Sequence, residues 1–428
     1  MHATIEQFED PVLDISEVRA AQLVWARKDI RQRLQIVKRL RRLMAGHAEV
    51  LGAIVAAVRY RPIEEKLISE ILPLADACKF LERESAKILA PQKFGRRGRP
   101  LWLFDCEFEI QRQPFGVVLV VGPKNYPLFL PAVHALQALV AGNAVLIKPA
   151  PGTDSVSAAF VSLAREAGID QSLLVLLPED EQNVDDAIRA GVDKVVFTGS
   201  SKNGRGLLEK LAATNTPAVM ELSGEDAVIV LADADTDLVV RALIFGTQLN
   251  GGETCIAPRR LIVEESVANE LSARCSAAGV SNIHWQQVRD AETALMFANA
   301  SDYGLGASIF SRDVTKARQL AARLKTGFVT INDLIVPTAD PRMPFGGIKA
   351  SGFGITRGAS GLLEMTFSHV VSIRRGKFSR HLDWPTRGNS QLFNAYLQLA
   401  HGPLKGRWSA LRRFLRTITS ENRSDQRS

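Results

Sequence analysis

From Gly116 the chain alternates short, β-branched apolar runs with helical stretches: runs at 117–121, 144–147, 173–177 and 194–197 are separated by helical patterns at 128–140, 156–167 and 184–190. Runs of that length without a polar alternation are buried on both faces, the condition of a parallel sheet covered by helices. The fold class is therefore α/β, with a Rossmann-like half here. A second α/β stretch follows, with strands expected at 227–231, 260–263, 283–288 and 307–310 and helices at 236–248, 266–277 and 291–300. Ahead of both, residues 16–94 carry Leu23, Ile30, Leu34, Val37, Leu40 and Met44 at helical spacing and read as an apron of helices. Residues 104–112 read as an exposed strand. At 428 residues, 46% hydrophobic and 23% charged, the chain has room for two or three domains.

Four cysteines, at 78, 106, 255 and 275, form no CxxC pair and no cluster of metal-ligand spacing. They indicate free thiols in a reducing compartment, with the cytoplasm as the default and no metal. Glu6, Glu9, Asp10, Asp14 and Glu17 crowd the N-terminus where a signal peptide would be apolar, and nowhere do 18 apolar residues run together. The net charge of +7 is uneven: residues 372–428 hold 12 Lys/Arg against 3 Asp/Glu, while the rest holds 41 against 43.

Asn250-Gly-Gly-Glu-Thr-Cys255 places one thiol behind two glycines that let the backbone turn tightly. A lone Cys usually behaves as a small core hydrophobe, so the loop by itself favours core filler over a nucleophile. Two features add to it. Ala218-Val-Met-Glu221 sets a carboxylate at the end of an apolar run, where a general base can stand beside a dry site. Val118-Leu-Val-Val-Gly-Pro-Lys-Asn125 ends a buried run in an amide able to donate to an oxyanion. Thiol, carboxylate and amide are the parts for acyl transfer through a thioester, although Asn125 also reads as a turn residue and Glu221 as a solvated charge. Thr198-Gly199-Ser200 offers small residues at a strand-to-helix turn, suited to a pyrophosphate or to a plain connection. No GxGxxG fingerprint is present.

Eight motifs in order resemble the aldehyde dehydrogenase superfamily over about residues 15–375: Gly-Pro-Lys-Asn125-Tyr-Pro-Leu, Ala141-Gly-Asn-Ala-Val-Leu-Ile-Lys148-Pro, Phe197-Thr-Gly-Ser200, Glu221-Leu-Ser-Gly, Gly252-Glu-Thr-Cys255, Asp302-Tyr-Gly-Leu, Gly327-Phe-Val-Thr-Ile-Asn332 and Pro344-Phe-Gly-Gly-Ile-Lys349. The 34-residue separation of Glu221 and Cys255 is similar to the family's as well. The resemblance implies oxidation of an aldehyde to an acid with NAD or NADP. Cys255 would be the nucleophile, Asn125 the oxyanion donor and Glu221 the base that activates water. Lys148, Gly199, Ser200 and Leu222 would hold the cofactor. It implies a cofactor-binding domain over 1–98 and 115–222, a catalytic domain over 223–366, and bridging strands at 99–114 and 367–378 that join a homodimer.

The sequence departs from the family pattern at several points. Pro151 stands where NAD-preferring members carry an acid three residues after the lysine, which leaves NADP open; NADP is expected to bind no worse than roughly tenfold weaker than NAD. Only 47 residues lie between Cys255 and Tyr303, and the segment whose acid grips the nicotinamide ribose has no counterpart, 277–284 being free of acids. Lys124 replaces the usual Trp, and Glu225 the usual Lys. A catalytically impaired relative acting by binding or scaffolding is the alternative to an active enzyme. Cofactor reduction with a panel of aldehydes discriminates the two.

Residues 379–428 are the basic tail. Leu404, Trp408, Leu411, Leu415 and Ile418 recur at helical spacing with Lys405, Arg407, Arg412, Arg413 and Arg416 largely off that stripe. One amphipathic helix from Leu404 is expected, either packed by its stripe on the protein's own body or lying peripherally on an anionic membrane. Nucleic acid is not expected as a partner, since aromatic content is 7% and no binding fold is recognisable.

Overall fold

Strands read from uninterrupted apolar runs should lie in the middle of a sheet, and they do. The computed structural model describes residues 13–376, 382, 384–385 and 389–424, without the side chains of 101 and 418–424. They divide into two compact units, Met1–Gln92 with Ile110–Val370, and Lys93–Glu109 with Val371–Ser428.

The first unit holds two large sheets. In the six-stranded sheet the order is Gly352–Phe353, Ala218–Glu221, Lys194–Thr198, Val117–Val121, Ala144–Lys148 and Leu174–Leu176. The last five strands are parallel and the first is antiparallel. Every residue of Val117–Val121, Ala144–Lys148 and Lys194–Thr198 is buried, which is why no polar residue interrupts them before their ends. The crossover helix Phe129–Ala141 is buried at all of its residues. Parallel strands end together, so Val121, Lys148, Thr198 and Glu221 share the carboxyl edge, where open α/β sheets bind ligands.

The second sheet is parallel throughout, in the order His284–Val288, Pro258–Glu264, Asp226–Val230, Gly306–Phe310 and Phe328–Ile331. Its two faces carry separate apolar clusters, one around Leu243, Leu271 and Phe310 and one around Ile229, Ile262 and Leu295. The N-terminal helices Ser16–Ala26, Ile30–Gly46, Ala48–Arg59 and Leu72–Ile88 belong to the same unit. Trp25 locks the first against the buried crossover helix by donating its Nε1–H to the Leu139 carbonyl at 2.7 Å. Helix was expected through residue 94 but ends at Ile88, and Gln92–Phe94 is a strand. Pro91 explains the stop, because the residue before a proline is pushed out of the helical region.

The second unit holds residues 93–94, 106–109 and 371–374 of a three-stranded sheet whose order is Gln92–Phe94, Cys106–Pro114 and Thr366–Arg374. Its tail is not one helix from Leu404 but two, Ser390–His401 and Arg407–Ser424, with Leu404 in a short 3-10 turn. Tyr396 and Phe414 lie with ring centroids 5.9 Å apart, and Arg413 donates to the Gln398 side-chain carbonyl, so the helices run antiparallel. Ala395 and Ala410 are the buried residues of this contact, small side chains that let the backbones approach. The expected apolar stripe is not what packs: Leu404, Trp408 and Leu415 are 77%, 77% and 53% exposed. The Ile418 side chain lies outside the described residues.

Candidate active site

The nucleophile loop is shaped by three consecutive left-handed residues, Asn250, Gly251 and Gly252, at φ 52°, 65° and 74°. A side chain at Gly252 would meet the Thr247 carbonyl at 2.9 Å, so both the dihedral and the space call for glycine there. Asn250 tolerates the conformation and its polar groups tie the loop down. Its amide donates to the Asn125 carbonyl at 2.8 Å, and its side-chain oxygen accepts from Lys66 Nζ at 2.6 Å. Asn125 answers by donating its side-chain amide to the Glu253 carbonyl at 2.8 Å. The Tyr126 and Thr254 hydroxyls meet at 2.8 Å. The amide loop and the thiol loop are thus laced into one wall.

All seven residues singled out in the sequence line a single cleft of about 790 Å³: Asn125, Lys148, Gly199, Ser200, Glu221, Leu222 and Cys255. Glu221 ends its strand buried at 2% exposure, and its Oε2 accepts from the Thr356 hydroxyl at 2.8 Å. Its Oε1 is buried with no partner among the described residues. Burial pushes its carboxyl above the ordinary range, with the Arg357 cation and the Thr356 hydrogen bond opposing. A carboxylate so placed is a stronger base than one in water.

Cys255 is half-buried. A site that lowers the thiol's pKa was expected, and the surroundings do the reverse. Burial is the largest cause, the Glu221 and Asp226 carboxylates add to it, and Arg357 and the Ile256 N–H oppose. Thr356 and Arg357 carry no signal in the sequence that marks them as neighbours of Glu221. They arrive because Gly352–Phe353 pairs antiparallel with the strand of Glu221, Gly352 opposite Glu221, which carries the following residues beneath the carboxylate. No spacing rule links 356 to 221.

The other end of the cleft suits a dinucleotide. The 14-residue helix Ser201–Thr214 points its N-terminus there, and Ser200 caps it by accepting from the Asn203 N–H at 3.2 Å. The remaining first-turn N–H groups have no intrahelical partner and face the side where a pyrophosphate would sit. Thr198 Oγ1, also lining the cleft, is buried with no hydrogen-bond partner among the described residues. The Gly199 N–H is already taken by the Glu221 carbonyl at 3.1 Å, so Gly199 holds the turn and gives no free donor. Lys148 is buried at its strand end beside Ala150 and Pro151. Across from Pro151, Glu181 supplies an acid that the sequence reading did not foresee.

A parallel sheet with a nucleotide-sized cleft at its carboxyl edge is the arrangement of a nucleotide-binding α/β enzyme. The family model described as "Aldehyde dehydrogenase family" matches residues 9–284 and 283–371. The two stretches meet inside the short interval between Cys255 and Tyr303. Among curated proteins, the chain is 27% identical to the 4,4'-diapolycopene aldehyde oxidase of Methylomonas sp., over 91% of this chain and 86% of that one. It is 26% identical to the succinate semialdehyde dehydrogenase [NAD(P)+] Sad of Escherichia coli, over 79% and 88%. Among solved structures, an NADP-dependent glyceraldehyde-3-phosphate dehydrogenase from Bacillus halodurans, complexed with NADP, superposes with a TM-score of 0.78 at 26% identity, covering 85% of this chain and 90% of that one. The chain belongs to the aldehyde dehydrogenase family, and at that level it is an NAD(P)-dependent oxidoreductase acting on aldehydes.

Proposed function

We propose that the chain oxidises an aldehyde to a carboxylic acid through a thiohemiacetal and then a thioester on Cys255, and that Glu221 releases the product. The observation that carries this reading is the single cleft running from Lys148 and Ser200 to Asn125, Glu221 and Cys255. The Cys255 thiolate adds to the carbonyl carbon. The oxygen that becomes negative meets the Cys255 backbone N–H and the second amide hydrogen of Asn125, the first being held by the Glu253 carbonyl. Bound NAD or NADP supplies the hydride acceptor, with Lys148, Ser200 and Leu222 as its contacts. Glu221 then takes a proton from water, the hydroxide attacks the thioester carbon, and the Cys255 sulfur leaves as the acid departs. The free Oε1 of Glu221 is the atom with capacity for that proton.

Cys255→Ala is expected to abolish cofactor reduction with aldehydes while leaving thermal unfolding unchanged, and wild-type turnover in that variant refutes the reading. Glu221→Gln is expected to accumulate acylated Cys255, visible by mass spectrometry, and to slow steady turnover by about 10²–10⁴-fold. The binding-or-scaffold alternative gains only if the wild-type chain reduces neither cofactor with any aldehyde in a broad panel.

Two finer readings concern partners. The edge strand Thr366–Arg374 exposes Val370 and Ile373, which supports self-association into a homodimer through strand pairing. The exposed Leu404, Trp408 and Leu415 among cations support peripheral contact with an anionic membrane, from which a lipid-derived aldehyde would reach a cytoplasmic enzyme.

A further inference from the structure

Arg357 is a buried cation without an ion-pair partner. Its residue is 7% exposed, and no Asp or Glu oxygen among the described residues lies within ion-pair distance of it. One guanidinium nitrogen donates to the Thr338 carbonyl, Nε is buried with no partner among the described residues, and the charged carbon lies 4.1 Å from the Phe345 ring centroid and 5.8 Å from that of Phe129. Burying a charge costs several kcal/mol, and two aromatic faces with one hydrogen bond return only part of that. Something else in reach must make the charge worth keeping. The ionisable groups that feel Arg357 as a favourable neighbour are Glu221, Cys255 and Tyr126, the carboxylate, the thiol and the phenol at the reactive end of the cleft. His134, on the crossover helix, feels it as a like charge and is held neutral, with burial the larger cause and a pKa near 3.

Resting on the proposed role of Cys255, we infer that Arg357 is a positioning residue whose buried charge stabilises the Cys255 thiolate against the two carboxylates around it. As it stands the site is hostile to a second anion. Glu221 ends one strand and Asp226 begins the next, both carboxylates oppose ionisation of the thiol, Tyr126 stands on the neighbouring loop, and the Arg357 cation favours the thiolate. Ionising Cys255 beside Glu221 puts two negative charges into a half-dry wall, and the guanidinium turns that pair into a triad of net charge −1. Thr356, the preceding residue, fixes Glu221 by its 2.8 Å hydrogen bond, so consecutive side chains orient the base and offset the nucleophile's charge. Phe345 joins the two: its carbonyl accepts from the Thr356 backbone N–H at 2.8 Å, and its ring, which carries the guanidinium at 4.1 Å, belongs to the apolar cluster that Cys255 packs against.

The test reads the thiol directly, without aldehyde or cofactor: the rate of Cys255 alkylation by iodoacetamide against pH, followed by mass spectrometry at that site. Arg357→Gln, which keeps polarity without charge, is expected to raise the midpoint by one pH unit or more, about tenfold less thiolate at a given pH below it. Arg357→Lys is expected to stay within about half a unit of wild type, because charge and not shape is what acts. A midpoint unmoved in the Gln variant, or moved equally by Lys and Gln, overturns the inference. If Arg357→Gln does not fold, the Glu221→Gln/Arg357→Gln chain, which leaves no partnerless charge, is compared with Glu221→Gln alone and must show the same rise. Because alkylation needs no turnover, failure of aldehyde oxidation by the wild-type chain and failure of this charge effect are separate results.

Discussion

Glu181 sits beside Lys148, Ala150 and Pro151 in the cofactor end of the cleft, and the Glu179 and Asp180 carboxylates add to the negative field around the Lys148 ammonium. An acid beside the adenosine ribose accepts from its 2′-hydroxyl and repels a 2′-phosphate. Pro151 alone forecasts indifference between NAD and NADP. With Glu181 present the expectation reverses: NAD should bind more than roughly tenfold tighter than NADP, a difference above about 1.4 kcal/mol. Glu181→Gln should narrow that ratio, measured by fluorescence titration of both reduced cofactors. A ratio near one in the wild type, or one untouched by the substitution, removes Glu181 as the determinant. The discrepancy arises because an acid 33 residues from Lys148 becomes its neighbour only when two parallel strands end side by side.

Between elements, the junction that matters most for the site is the start of helix Phe129–Ala141, which follows the Asn125 loop. Its first N–H groups are satisfied by a side chain from another helix: Glu70 Oε2 accepts from Leu128 and Phe129 N–H at 2.8 and 3.1 Å. Glu70 is fully buried, and burial pushes its carboxyl from 4.5 to about 7 against those hydrogen bonds and Lys66. A raised carboxyl pKa means the folded state holds the proton longer than the unfolded one. Its contribution is therefore complete below about pH 4.5 and lost as pH rises through about 7. Asp226, raised to about 7 beneath the Gly306 N–H, slopes the same way. Glu70→Gln keeps an oxygen for both N–H groups but cannot ionise. It should flatten the fall in unfolding free energy between pH 4.5 and 7 by up to about 1.4 kcal/mol per pH unit. Denaturant melts at several pH values check this, and an unchanged slope refutes it.

For the molecule as a whole, the charge division is the feature with an outward consequence. Residues 372–428 carry 12 basic against 3 acidic side chains, and the rest is nearly neutral. On the second helix of the hairpin, Trp408 and Leu415 are exposed and stand seven residues apart, which sets them on one flank of that helix. Among the described residues no helix is long and apolar enough to cross a membrane. An apolar flank bordered by arginines is instead suited to an interface, each cation near an anionic surface being worth about 1 kcal/mol. The full chain should pellet with phosphatidylglycerol vesicles at low salt and less so at moderate salt, whereas Trp408→Ser/Leu415→Ser should stay in solution. Equal pelleting of the two chains, or none by either, discards the membrane reading. A salt-insensitive dimer lost in the double variant would assign that flank to a second copy of the chain.

What the sequence determined by itself is what depends on neighbours along the chain. Burial on both faces demands uninterrupted apolar runs, so Val117–Val121 and the helix Thr236–Gln248 were legible to the residue, and strand ends marked Glu221 and the Asn125 loop. Left-handed backbone needs Asn and Gly, so Asn250-Gly251-Gly252 announced the turn before Cys255. Only the tertiary structure decided which groups from distant segments share an electric field. Thr356 reaches Glu221 because a short antiparallel strand docks on Glu221, Glu181 meets Lys148 because two strands end together, and the tail hides Ala410 and exposes Trp408 because a second helix precedes it. Charge acts through space over several ångströms with no regard for sequence separation, and no periodicity or motif records that distance.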